Sequence, residues 1–208
     1  NDLPVDRSFT VTESAGSSAA PTTSEAHAAA PFVEVSATAG FTLTSRETLI
    51  DETIDQPFLP IRLNLRGPAL AVGDLTGDGI EDVVMGGTPS DRLRLVAGTG
   101  EGRFAPAAAL GPKNASALND GPLLVIDANG DGANDLLVTK GGVALPVGSP
   151  AYQPQLYLND GHGRLQAAPS AVLPPLGMSA GAAAAADFDR DGRLDIFIGA
   201  RGSPGQYP

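Results

Sequence analysis

Apolar residues in this chain occur in short runs that alternate with acidic, glycine-rich segments. Three such acidic segments lie at residues 74–82, 127–135 and 187–195, and an apolar run enters and leaves each of them, as Leu123–Ile126 and Leu136–Val138 do around the second. Short apolar runs bounded by turn-forming residues predict β-strands. The chain therefore contains three predicted strand–loop–strand units, and an internal repeat of this kind decides the fold.

Glycine-rich hairpins are predicted after the first two acidic segments. Residues 93–105 and 155–166 match each other almost position by position, with Arg103-Phe104 in the first corresponding to Arg164-Leu165 in the second. The glycines between the two arms supply the positive φ that tight turns need. Each full unit is therefore expected to hold four antiparallel strands, which is the make-up of a β-propeller blade. We predict an all-β fold, namely a partial propeller of about three blades.

The first 31 residues differ in composition from the rest. Residues 14–31 are small, polar and punctuated by proline, which predicts a flexible Ser/Thr/Ala/Pro-rich tail over residues 1–31. The segments Phe32–Val35 and Phe41–Thr44 alternate apolar and polar side chains and predict two half-buried strands, so the propeller region is expected to span residues 32–208. The Gly/Pro-rich segment Thr139–Pro154 is a predicted insertion between strands and a candidate contact surface.

The acidic segments share a pattern of oxygen-bearing side chains at relative positions one, three, five and nine, with glycine at six. Calcium loops present their ligands in this order while turning sharply at a glycine, and Ca²⁺ takes six to eight oxygens. About three Ca²⁺ ions are therefore predicted. The predicted side-chain ligands are Asp74, Thr76, Asp78, Asp82, Asp127, Asn129, Asp131, Asp135, Asp187, Asp189, Asp191 and Asp195. Backbone carbonyls at position seven are expected to complete the sites, at Ile80, Ala133 and Arg193.

An EF-hand does not explain these loops. It needs a glutamate at position twelve, where this chain has Met85, Val138 and Ile198, and it needs flanking helices where this chain has predicted strands. The charge of the chain agrees with bound cations: ten of its aspartates lie in the loops, so three Ca²⁺ would change the net charge of -11 to about -5. Thr76 is a neutral ligand, so the first site is expected to bind Ca²⁺ less tightly.

The chain resembles FG-GAP/VCBS repeats in the strings GDLTGDGIEDVVMGG, DANGDGANDLLVTKGG and DFDRDGRLDIFIGAR. These repeats form the calcium-binding blades of integrin α-subunit propellers and of many bacterial surface proteins, and the chain is most similar to bacterial VCBS proteins of the ASPIC/UnbV-associated type. The resemblance covers roughly residues 56–208. It implies a β-propeller with Ca²⁺ in the hairpins of its blades.

Several classes of function are disfavoured by the sequence. No basic patch accompanies the acidic charge, which argues against nucleic acid as a partner, and no apolar run is long enough to span a bilayer. A catalytic Ser179 in the Gly177–Gly181 segment would need a later histidine, but His27 and His162 both precede it. No enzymatic activity and no catalytic residue are therefore predicted.

The expected function is that of a secreted or cell-surface protein with a binding or adhesion role, whose partner is a protein or a glycan. Asn114 begins an Asn-Ala-Ser triplet and is a candidate glycosylation site, so the protein is a candidate glycoprotein. Two alternatives remain open. The chain could be a self-assembling, filament-forming subunit in which Phe32–Thr44 completes a neighbouring copy by strand exchange. It could also be the non-catalytic propeller part of a larger enzyme.

Overall fold

The computed structural model describes residues 32–54, 57–58, 66–111 and 116–202. The predicted tail at residues 1–31 and the candidate glycosylation site Asn114 lie outside these residues. Backbone contacts divide the chain into two units, Asn1–Glu34 and Val35–Pro208, and every strand described below belongs to the second. Within the described residues no helix is long and apolar enough to cross a membrane.

The first blade is a four-stranded antiparallel sheet. It is built from β1 (Leu70–Gly73), β2 (Asp82–Met85), β3 (Arg94–Val96) and, after a hairpin of β4 (Gly98–Gly100) and β5 (Arg103–Phe104), β6 (Ala108–Ala109). The strands lie in the order β1-β2-β3-β6. The first acidic loop joins β1 to β2, as the repeat predicted.

The second blade repeats this arrangement. Its strands are β7 (Asp120–Ile126), β8 (Asp135–Lys140), β9 (Gln155–Asn159) and β10 (Leu165–Ala167), and each pairs antiparallel with the next. In the third unit, β11 (Ser179–Ala186) pairs with β12 (Asp195–Gly202), and among the described residues these two strands form a sheet by themselves. Short 3₁₀ turns at Pro150–Tyr152 and Ser170–Val172 complete the connections. The predicted all-β fold of partial propeller blades is confirmed.

Neighbouring blades pack face to face, and alternate apolar side chains of one strand contact the blades on its two sides. Leu136 and Val138 of β8 point into a core shared with Val84 and Leu95 of the first blade. The intervening Leu137 points the other way, into a second core that contacts the apolar side chains of β12. Because successive side chains of a strand alternate between its faces, one run of apolar residues supplies both cores. Each fully buried leucine contributes about 1.5–3 kcal/mol to folding.

The two strands predicted at Phe32–Val35 and Phe41–Thr44 do not form, and this prediction is wrong. Residues 33–35 and 41–44 belong to no strand, and between them lies one helical turn, α1 (Ser36–Ala39), which ends at Gly40 in the left-handed conformation. The alternation was right about burial only in the second segment: residues 41–47 alternate between half-buried and exposed, whereas Phe32, Val33 and Val35 are 88%, 79% and 56% exposed. It could not show which edge, if any, was available for backbone pairing.

Residues 41–48 are attached to the first blade by side-chain contacts instead. The rings of Phe41 and Phe104 meet edge to face with centroids 5.2 Å apart, and Arg94 on β3 donates a hydrogen bond to the carbonyl of Thr44 at 2.5 Å. Arg46 forms an ion pair of 2.7 Å with Asp91. Since Leu95 faces the second blade, its neighbour Arg94 lies on the opposite face, and the segment therefore lies against that outer face.

The insertion Thr139–Pro154 is folded rather than loose. Thr139 and Lys140 extend β8, and the buried Tyr152 donates its hydroxyl to the carbonyl of Leu145 at 2.8 Å. The backbone N–H of Gly148 bonds the carbonyl of Gly177 at 2.7 Å, which ties the insertion to the segment before β11.

Candidate metal centres

All three acidic loops turn around the carboxylate of their first residue. The N–H of the glycine at position six donates to Oδ2 of that aspartate, at 2.8 Å for Asp74, 2.9 Å for Asp127 and 3.0 Å for Asp187. These glycines have φ values of 82°, 88° and 85°, in the left-handed region that other residues rarely adopt. A glycine at position six is therefore required by the turn itself.

The aspartate at position five accepts a hydrogen bond from the N–H of residue seven in every loop. The distances are 2.9 Å from Ile80, 2.8 Å from Ala133 and 2.8 Å from Arg193. In the second loop the Ala133 N–H, with help from the Asn129 amide, holds the pKa of the Asp131 carboxyl below its usual value. Hydrogen bonds to the ionised form have this effect, so Asp131 keeps its charge.

The aspartate at position nine has a structural role in the first two loops. Asp82 and Asp135 are 0% exposed. Their Oδ1 atoms accept the backbone N–H of Gly98 at 2.9 Å, two residues beyond the end of β3, and of Asn159 at 2.8 Å, the last residue of β9. Their Oδ2 atoms accept N–H groups from the start of their own loops, Leu75 at 2.9 Å and Ala128 at 3.0 Å. Each carboxylate therefore joins its loop to the neighbouring hairpin.

The third loop brings its acidic side chains closest together. Asp187, Asp189 and Asp195 are exposed and each offers an oxygen within 4.8 Å of the others. Oxygens bound to one Ca²⁺ at 2.3–2.6 Å can be at most about 5 Å apart, so this donor set suits the ion. It is the only such acidic group in the described part of the chain, since position three holds Thr76 in the first loop and Asn129 in the second.

The side chains of Thr76, Asp191 and Asp195 differ in their hydrogen bonds. In the first loop, Thr76 Oγ1 is buried and has no hydrogen-bond partner among the described residues, as expected of an oxygen that serves a cation. In the third loop, Asp191 is not part of the three-carboxylate group, and its carboxylate accepts only the N–H of Arg193 among described residues. Asp195 bonds Phe188 N at 3.0 Å.

A comparison with protein families agrees with the repeat. The model of the FG-GAP-like repeat matches residues 74–138 and 127–198, and each match runs from one acidic loop through the strand that follows the next. The chain belongs to the FG-GAP-like repeat family. No curated protein matches it.

The first two FG-GAP-like repeats are joined by a hydrogen-bond clasp that the sequence did not reveal. Asn134 Nδ2 of the second repeat donates to the carbonyl of Asp74 at 2.8 Å, and Asn159 Nδ2 donates to the carbonyls of Leu75 and Asn134, both at 2.8 Å. Gly77 lies so close to the second repeat that a Cβ on it would meet the carbonyl oxygen of Gly161 at 2.0 Å. The sequence did contain one indication of this clasp, namely an asparagine at position eight of the second loop, where a calcium loop needs no ligand.

The third FG-GAP-like loop departs from the other two at position four. Gly77 and Gly130 have φ values of 76° and 78°, and Arg190 in the third loop has φ 67°. A side chain in this conformation carries strain of about 1 kcal/mol or more. At position eight, the asparagine of the clasp occurs in the second loop alone, because the first loop has Glu81 and the third has Leu194.

Proposed function

We propose that the chain is a calcium-stabilised segment of an FG-GAP propeller, which acts outside the cell or at its surface as a binding module for a protein or a glycan and performs no catalysis. A closer relation to bacterial VCBS proteins of the ASPIC/UnbV-associated type is part of this proposal. The observation that carries it is the convergence of Asp187, Asp189 and Asp195 within 4.8 Å in a loop whose turn geometry recurs in the other two repeats.

Calcium suits these loops for an electrostatic reason. Three carboxylates at this separation repel one another, and a divalent cation among them replaces repulsion with attraction. All-oxygen sites in extracellular modules bind Ca²⁺ with Kd values of about 0.1–1 mM, which millimolar calcium outside the cell would fill. Binding to the folded chain alone would then stabilise the glycine-rich loops.

The test is thermal unfolding with calcium and with chelator. For a Kd of about 1 mM, 10 mM Ca²⁺ adds about 1.4 kcal/mol per site, because the gain equals RT ln(1 + [L]/Kd). For a domain of this size that corresponds to roughly 4 °C per site. We expect the melting temperature to rise by up to about 12 °C when all three sites fill, with a smaller rise in Mg²⁺. Identical curves in calcium and chelator would contradict the proposal.

A matched pair of variants in the first loop separates binding from general charge effects. Asp78→Asn and Glu81→Gln each remove one negative charge, but only position five is a predicted ligand. The asparagine keeps an oxygen for the Ile80 N–H, so the turn is retained. Because the first site is expected to be the weaker one, we expect Asp78→Asn to reduce the calcium-induced shift by up to one site, at most roughly 4 °C, and Glu81→Gln to leave it unchanged. Equal losses would indicate unspecific screening.

Self-association is a second candidate, supported by the exposed outer faces of the terminal sheets. Leu70 and Val72 on β1 are 58% and 56% exposed, and Phe197 on β12 is 60% exposed. Exposed apolar sheet faces favour association. Light scattering and electron microscopy of the purified chain would show oligomers or filaments, and a strictly monomeric protein at high concentration would exclude this candidate.

A further inference from the structure

A cleft of about 360 Å³ opens between the first two blades at the end of β8 that lies away from the second acidic loop. Leu93 and Leu110 line it from the first blade, and Val138, Lys140, Gln155 and Tyr157 line it from the second. Because β8 runs from Asp135 in the loop to Lys140 in the cleft, the cleft is separate from the candidate metal centres.

The strand register explains why these side chains share one face. Leu136 lies opposite Tyr157 and Val138 lies opposite Gln155 in the pairing of β8 with β9. Leu136, Val138 and Tyr157 all pack in the core between the first two blades, so alternate residues of both strands face the first blade. Lys140 follows Val138 by two residues and therefore lies on the same face of the sheet, beyond the apolar core. At this point the side chains of the face change from apolar to polar.

Three polar side chains of the cleft have donors or acceptors that the described residues do not use. The Tyr157 hydroxyl has no partner within the described residues, although most of the side chain is buried. The Gln155 amide nitrogen donates to the carbonyls of Leu156 and Ala168 at 2.7 and 2.9 Å, which leaves its oxygen to accept. Lys140 donates to Asp120 and retains two further N–H groups. The cleft therefore offers a hydroxyl, an acceptor and a donor beside apolar side chains.

Among the described residues that line the cleft, the charges cancel. Lys140 is paired with Asp120, whose side chain is 4% exposed, and Asp91 and Arg92 add one charge of each sign. Burial, assisted by the nearby Asp120 carboxylate, raises the pKa of Tyr157, so this hydroxyl stays neutral. A charged ligand would find no net opposite charge here and would lose its hydration, whereas a neutral polar ligand would exchange water hydrogen bonds for those of the cleft.

We propose that this inter-blade cleft binds a neutral, hydroxyl-rich ligand of the size of one sugar residue, either free or within a glycan chain. Its hydroxyls bond Tyr157, the Gln155 oxygen and the Lys140 ammonium, and its C–H groups lie against Leu93, Leu110 and Val138. This inference names a ligand class and a site for the binding role proposed above, and it does not require calcium. An unchanged melting curve in chelator would refute the calcium proposal without affecting it.

Binding is tested by saturation-transfer NMR and calorimetry on the full chain, with calcium present and folding verified by circular dichroism. The probes are neutral mono- and oligosaccharides, with the corresponding uronic acids as charged counterparts. We expect saturable binding of at least one neutral probe and weaker binding of its uronic acid. A monosaccharide that binds as well as the oligosaccharide containing it indicates a free sugar as ligand, and binding only of the oligosaccharide indicates a glycan chain.

Two tyrosine variants form a matched pair. Tyr157→Phe removes only the unpartnered hydroxyl, so we expect an unchanged melting temperature and binding about 2- to 12-fold weaker, the loss of one neutral hydrogen bond. Tyr152→Phe removes a hydroxyl that bonds Leu145 outside the cleft, so binding should not change. The inference is overturned if no neutral saccharide binds, if uronic acids bind better, or if both variants bind as the unaltered chain does.

Discussion

Replacing Asp82 by asparagine tests the structural role of position nine without reference to metal. The carboxylate is 0% exposed and accepts three backbone N–H groups, from Leu75, Thr76 and Gly98, each at 2.9 Å. An asparagine has the same shape but only one acceptor oxygen, so its NH₂ group must face at least one of these donors. Asp82→Asn therefore leaves a buried N–H without a partner.

The magnitude follows from the number of donors affected. If the amide oxygen takes the place of Oδ2, only the Gly98 N–H is left unpaired, which costs about 1–3 kcal/mol. If it takes the place of Oδ1, two N–H groups are left and the cost is about 2–6 kcal/mol. The first orientation has the lower free energy, so we expect a loss of about 1–3 kcal/mol, or roughly 2–12 °C in melting temperature.

The assay is urea unfolding in excess chelator, with Asp195→Asn as the control. Asp195 occupies the same position in the third loop, but it is exposed, and among the described residues its carboxylate accepts a hydrogen bond only from the Phe188 N–H, at 3.0 Å, a contact that asparagine can keep. We expect the control to change the free energy of unfolding by less than about 0.5 kcal/mol. Equal effects of the two substitutions would refute the assignment of a structural role to Asp82.

Two other predictions concern packing and pH. Leu137→Ala, at a side chain that is 0% exposed, should lower the free energy of unfolding by about 2–5 kcal/mol in denaturant titration, and a loss below about 1 kcal/mol would contradict the packing of the second core. The hydrogen-bonded guanidinium of Arg46 lowers the pKa of Asp91, so this pair stabilises the fold above the unfolded-state value near 3.9 and is lost as the pH falls through the lower folded value. Asp91→Asn should therefore make stability less dependent on pH in acid, and an unaltered pH profile would count against the pair.

Local patterns in the sequence were sufficient for the blades. The apolar runs around each loop became paired strands, and the correspondence between Arg103-Phe104 and Arg164-Leu165 became two equivalent hairpins, because period-two alternation and glycine turns act over a few residues. The turn glycines Gly79, Gly132 and Gly192 were also identified in their correct role at position six.

Contacts between separate parts of the chain could not be predicted in this way. Phe41–Thr44 alternates as a strand does, but its backbone pairs with no strand, since a pattern cannot show which edge is free. The sequence indicated Asp82 and Asp135 as ligands only, because their N–H donors at Gly98 and Asn159 lie a hairpin away. The clasp formed by Asn134 and Asn159 and the cleft at Tyr157 depend on how two blades face each other, which no short segment encodes.

The clasp between the first two repeats is asymmetric, and this has an evolutionary consequence. Its donors are the side chains of Asn134 and Asn159 in the later repeat, and its acceptors in the earlier repeat are the main-chain carbonyls of Asp74 and Leu75. Every amino acid has such a carbonyl, so substitutions at positions 74 and 75 leave the acceptors of the clasp in place, whereas Gly77 must remain a glycine because the carbonyl oxygen of Gly161 lies 2.0 Å from where its Cβ would be. When repeats duplicate, the hydrogen bonds of this junction require the asparagine side chains of the incoming copy but only the main chain of its predecessor.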